Sequence, residues 1–187
     1  PMAGVCAPRL EAAVYDAEAI GIRGIGAMAV SVSRDAIRQT GQMTARPFGV
    51  NVICHESVRL PSGVAADWLH WLEPEFRRFG AKPPETLRQI YPSFLDGTTM
   101  LDMLLEEQPA CVSFHFGLPG ATTVQALRAA GIILLASVPV VRGPEMANRA
   151  GLEVLIPRGY EPGGIAASSV PSLPDKGEVT RRLSPPL

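Results

Sequence analysis

The chain has almost no net charge: 17 Lys and Arg against 18 Asp and Glu leave −1, with a pI near 6.4. That removes the electrostatic footprint by which proteins hold nucleic acid or anionic membranes. Long apolar runs are also missing. The longest, GIILLASVPVV at 131–141, is too short to span a bilayer and reads as a buried strand. Cysteine is scarce: Cys6, Cys54 and Cys111 are odd in number, far apart and form no C-x-x-C pair. Neither a disulfide frame nor a zinc site is indicated, and no metal is expected. Three histidines (His55, His70 and His115) stand far apart, with no carboxylate at ligand spacing. No G-x-S-x-G occurs, so a hydrolase triad is unsupported. Gly24 and Gly26 make only a G-x-G, without the third glycine of a dinucleotide fingerprint, and read as close packing. Nothing at the N-terminus reads as a signal peptide, so a reducing cytoplasm is the expected compartment.

What is present is a core. Hydrophobic residues make up 47% of 187, which excludes a disordered chain and suffices for one domain. The pattern is strand, turn, helix, repeated. Residues 2–5 read as the end of a strand, and the abrupt apolar opening predicts a preceding strand or start segment. Residues 8–19 form a predicted helix, with Pro8 in its first turn. A small-residue strand is expected at 24–30, then a helix capped by Ser33 and running to about Met43. FGVNVIC at 48–54 is a strong strand. Residues 64–79 are a helix that Pro74 must kink or split, and 82–93 is loop-like. Helices follow at 98–108, 121–130 and 145–150, with strands at 110–114, 132–137 and 153–156.

Strands alternating with single helices imply parallel pairing through right-handed crossovers. Their continuous apolar runs suit a sheet covered on both faces. The fold class is therefore α/β, with about six βα units. A (β/α)8 barrel needs eight, and an open doubly wound sheet is the rival that strand count alone leaves standing. After Gly164 the composition changes. Residues 165–187 have neither helical period nor strand alternation and carry the Pro, Ser and charge mixture of a disordered tail.

In a barrel the active site lies where strands end and βα loops begin. Those ends carry Ala3, Gly4, Gly26, Ala27, Asn51, His115, Ser137 and Gly159. His115, in VSFHFGLP, can donate a hydrogen bond or shuttle a proton near neutral pH; the plainer reading is a half-buried loop histidine bonded to a carbonyl. Asn51 interrupts an apolar strand, and its amide must be satisfied either by a ligand or by neighbouring backbone. RGYEPGG at 158–164 follows a strand, and such loops can cradle phosphate through backbone N–H groups. His55 and Glu56 can face the pocket from a strand end. His70 reads as a helix-surface or packing residue, and the Trp68, Trp71 and Leu72 cluster as core or interface.

The segments PMAGV at the start, RPFGVN at 46–51, VSFHFGLP at 112–119 and GYEPGG at 159–164 resemble, in order and spacing, successive motifs of the nitronate monooxygenases. The likeness covers about residues 1–164, and VSFHFGLP is its most specific segment. It implies a TIM-barrel type fold, here incomplete, binding FMN non-covalently. It also implies oxidation of alkyl nitronates with O₂ to carbonyl compounds and nitrite, through electron transfer to flavin. On this resemblance Met2, Ala3, Gly4 and Asn51 lie beside the flavin, His115 lies in the substrate pocket, and Gly163 and Gly164 belong to a loop near the flavin. Another flavin barrel, such as a flavin-dependent enoyl reductase, shares the PMAG-like start but not VSFHFGLP. A reading from another class is a non-catalytic fragment with unpaired sheet edges.

The family motif usually continues as Gly-Gly-His-Arg-Gly, but the residue after Gly164 is Ile165. One allowed coding of residues 165–169 is ATC GCG GCG TCT TCN. With one C in front it regroups to CAT CGC GGC GTC TTC, which encodes His-Arg-Gly-Val-Phe, the family's continuation. A one-base deletion after Gly164 is the resulting hypothesis. It fails if restoring one base to the nucleotide sequence opens no long in-frame continuation.

Overall fold

A computed structural model describes residues 7–58, 60–138 and 151–157. The elements run α1 (Pro8–Asp16), β1 (Ile22–Gly24), α2 (Val30–Met43), β2 (Gly49–Ile53), α3 (Val64–Arg78), α4 (Thr99–Glu107), β3 (Cys111–His115), α5 (Ala121–Ala129), β4 (Ile133–Val138) and β5 (Val154–Pro157). Five strands form one sheet in the order β1-β2-β3-β4-β5, every pair parallel. The order never reverses. A doubly wound sheet requires a reversal at its switch point, so the fold is the parallel β/α barrel type, incomplete at five strands among the described residues. The sixth expected strand, at the N-terminus, and the helix expected at 145–150 lie outside the described residues.

Alternation along each strand separates two faces. Val50, Val52, Val112, Phe114, Leu134 and Ala136 are buried in one core cluster with Ile37 of α2, Met103 and Leu104 of α4, and Val124 and Leu127 of α5. α2 packs on α4 and α4 on α5, so these helices form a single layer in strand order. The opposite face carries Asn51, Ser113, Leu135 and Val154 in one registered row, with Gly49, Cys111 and Ile133 in the row before it.

Several predicted boundaries move. β1 is Ile22–Gly24, not 24–30, because Arg23 is a strand residue whose charge is paired in the interior. Its Nη1 lies 3.1 Å from Glu11 Oε2, and both side chains are buried. Ser33 does not cap α2. The helix starts three residues earlier, with Ala29 in extended conformation at the cap position, and Ser33 is fully buried inside it. α1 ends at Asp16 because Glu18 takes a left-handed φ of 62°.

Ser57–Ile90 forms a separate compact unit containing α3. Pro74 does not split that helix. The ring removes its own backbone bond, while exposed pairs such as Glu73–Arg77, at 2.5 Å, bracket it. Trp68 and Trp71 stack at 4.9 Å, both exposed, so the pair is not core.

Candidate active site at the strand ends

On the face away from the helices, Gly24 of β1, Asn51 of β2 and Ser113 of β3 stand in register, and Ile53 stands opposite His115 one pleat further on. Gly24, Ile53 and His115 close their strands at the carboxyl-terminal end, where a barrel carries its chemistry, and Asn51 and Ser113 stand at mid-strand. Asn51 is buried, and its Nδ2 donates to the Ser113 carbonyl at 3.0 Å and lies 3.3 Å from Ser113 Oγ. Of the two ways to satisfy that amide, neighbouring backbone is the one realised for its N–H₂ group.

His115 ends β3 and is partly buried, its ring edge-on to Phe116 with centroids 4.1 Å apart. The Cys54 N–H donates to the His115 carbonyl at 2.8 Å, tying this end of β3 to the end of β2. The following turn is tight. Phe116 takes a φ of 65°, a conformation that costs a non-glycine residue about 1–3 kcal/mol and that clusters at functional sites. At Gly117 a Cβ would lie 2.3 Å from the Cys54 carbonyl oxygen, so only glycine lets the two backbones approach. The close-packing reading of Gly26 also holds: a Cβ there would meet Ile53 Cγ1 at 2.8 Å.

At the ends of β1 and β2, bordering the helix-side core through Val52 and Phe94, lies a cleft of about 180 Å³, walled by Met28, Val30, Ile53, Phe94 and Met100. Its far side is residues 92–100, clamped to the end of β2. The Phe94 N–H donates to the Ile53 carbonyl at 2.7 Å and Ser93 Oγ donates to the His55 carbonyl at 2.6 Å. The Phe94 ring lies 6.1 Å from that of Phe114. Sequence reasoning missed this cleft, reading residues up to 93 as plain loop; the signal was a buried phenylalanine amid Pro, Ser, Asp and Gly. Neither Asn51 nor His115 lines it.

Other candidates separate. His55 follows β2 and lends its carbonyl to Ser93. His70 is exposed on α3, 3.5 Å from Glu73, as the helix-surface reading expected. Cys54 and Cys111 are buried free thiols, and burial pushes Cys54 up to about 12 and Cys111 upward. Neither is a nucleophile near neutral pH. Among the described residues no group of three or more His, Cys, Asp or Glu can hold a metal, and no helix is long and apolar enough to cross a membrane. Met2, Ala3, Gly4, Gly163 and Gly164 lie outside the described residues.

The family model "Nitronate monooxygenase" matches residues 1–184. A nitronate monooxygenase of Paraburkholderia phytofirmans is 45% identical over 164 residues, covering 88% of this chain and 45% of that protein. One of Pseudomonas aeruginosa is 42% identical, covering 88% and 47%. Among solved structures, a nitroalkane oxidase from Streptomyces ansochromogenes superposes with a TM-score of 0.77 at 28% identity, over 92% of this chain and 48% of that one. FabK from Thermotoga maritima gives 0.58 at 27%, over 87% and 40%. The chain thus spans about half the length of the relatives it matches.

Proposed function

The chain belongs to the nitronate monooxygenase family, and from that premise we propose that it serves a flavin-dependent oxidation of alkyl nitronates with O₂ to carbonyl compounds and nitrite. FMN is the proposed cofactor, and a reducing cytoplasm the proposed compartment. The observation that carries the reading is the joint placement of Asn51 and His115. They occupy neighbouring hydrogen-bonded strands, one pleat apart, on the face away from the helices, Asn51 at mid-strand and His115 at the carboxyl-terminal end of its own.

The residues present fit a flat aromatic ring. Gly24 and Ser113 flank Asn51 with little side-chain bulk, and Asn51, its nitrogen engaged by Ser113, presents an oxygen that can accept from a ring N–H. Met2, Ala3 and Gly4 would hold the same ring from the start of the chain, with Gly163 and Gly164 in a loop near it. FMN, when bound, supplies the electron transfer between nitronate and O₂. His115 would orient the substrate by donating an imidazole N–H to a nitro oxygen. The strained turn at Phe116 and Gly117 fixes where that ring stands.

A second reading, a non-catalytic fragment of such an enzyme, has its own observation. On the face away from the helices Ile133 is 48% and Val154 41% exposed. One experiment separates the two. The purified chain is titrated with FMN and with FAD by flavin fluorescence, then given propyl-2-nitronate in air while nitrite is measured. Stoichiometric FMN uptake with nitrite release, reduced about 10²-fold or more by His115→Ala, supports the oxidase reading. A colourless chain that releases no nitrite supports the fragment.

A further inference from the structure

We propose that the cleft between β1, β2 and residues 92–100 takes the alkyl substituent of the substrate, leaving the nitronate head to the His115 side. The identity of the ligand rests on the functional reading above; the cleft's preference for a short alkyl chain does not. Its walls are apolar and adaptable: Met28, Val30, Ile53, Phe94 and Met100, with unbranched thioethers that mould to a guest. At about 180 Å³ it matches in size the apolar cavities of roughly 150 Å³ that admit benzene.

Position connects it to the reaction. Ile53 is at once a wall of the cleft and the registered partner of His115 on the next strand, about 4.8 Å away. Charge decides which end of the substrate enters. Asp96, exposed at the mouth, is the ionisable side chain among the described residues that line the cleft, and none of them is basic. No cation among these lining residues is there to hold an anionic head, whereas the apolar walls suit an uncharged chain. The cleft is also preformed. Phe94 N–H and Ser93 Oγ fasten its far side to β2, and Leu95 N–H lies 3.2 Å from Ser93 Oγ, so little ordering opposes binding.

The test uses the 187-residue chain labelled with ¹³C-methyl methionine and titrated with nitroethane, 1-nitropropane, 1-nitrobutane and 1-nitropentane. The Met28 and Met100 methyl signals are expected to shift saturably, while that of Met43, exposed at the far end of α2, stays still. Affinity should tighten roughly fourfold per added methylene, as full burial of each predicts, until the cleft is full. Val30→Phe, which fills the cleft, should weaken 1-nitrobutane about tenfold or more. Met100→Ala, which enlarges it, should lengthen the chain at which affinity levels off. Silent Met28 and Met100 signals, equal affinity across the series, or a series unchanged by both variants would overturn the assignment. Saturable shifts without flavin uptake would keep the alkyl site and remove the flavin reading; flavin uptake with silent methionines would remove the alkyl site alone.

Discussion

The two faces of the sheet are built on opposite terms. Toward the helices, Val50, Val112, Phe114, Leu134 and Ala136 are wholly buried, and the buried charge of Arg23 is paired with Glu11. Away from them the same strands carry Gly24, Asn51, Ser113 and His115, and leave Ile133 and Val154 open. One face is a continuous apolar core, and the other mixes small and polar residues with apolar ones. Strand alternation makes this division of labour possible, since neighbouring residues answer to different neighbours.

The sharpest way to break the comparison is to cut into the helix side. Leu134→Ala should cost about 2–5 kcal/mol in urea unfolding, because the packed core cannot collapse around the lost atoms. Ser113→Ala, on the other face, should cost under about 1 kcal/mol, since it removes one weak side-chain contact. Comparable losses would mean that both faces carry the fold.

Arg23→Met tests the charged exception. It leaves Glu11 buried with the Thr40 hydroxyl 3.2 Å from its Oε2, and should destabilise by about 3 kcal/mol. The double variant Glu11→Met with Arg23→Met should recover most of that in the same urea titration.

Smaller effects lie at the periphery. Arg38, then Arg34, hydrogen-bond Glu107 and hold its carboxyl below the ordinary glutamate range. A depressed folded-state value adds stability above the unfolded value near pH 4.3, and that stability is lost as pH falls through the lower folded one. Glu107→Gln should therefore lower Tm by about 2 °C at pH 7 and hardly at all near pH 2. The smallest expected effect is none. Iodoacetamide at pH 8 should leave Cys54 and Cys111 unmodified in native protein, by mass spectrometry, and modify both in guanidinium, since burial keeps the thiols protonated.

Much of the fold was legible. β2, β3 and β4 fall within a residue or two of their predicted places, because continuous apolar runs have few alternatives. β1 was misplaced because a charged residue argues against a strand unless its partner, twelve residues earlier, is known. Apolar runs also hide which residue faces which way, so the exposure of Ile133 and Val154 required the register. Asn51 announced itself as a polar residue in an apolar strand, but its partner Ser113, 62 residues on, did not. The cleft was illegible for the same reason, being assembled from residues 26–30, 52–53 and 92–100.

On the proposed function, the face away from the helices holds a flavin without holding the fold. The direct measurement is bound FMN per chain alongside Tm for the native protein, Asn51→Ala and Leu134→Ala. The account predicts near-stoichiometric flavin on the native chain. It predicts a large loss of flavin with little change in Tm for Asn51→Ala, and a fall in Tm of several degrees for Leu134→Ala. A native chain that binds no FMN, or an Asn51→Ala chain that binds it undiminished, would contradict it.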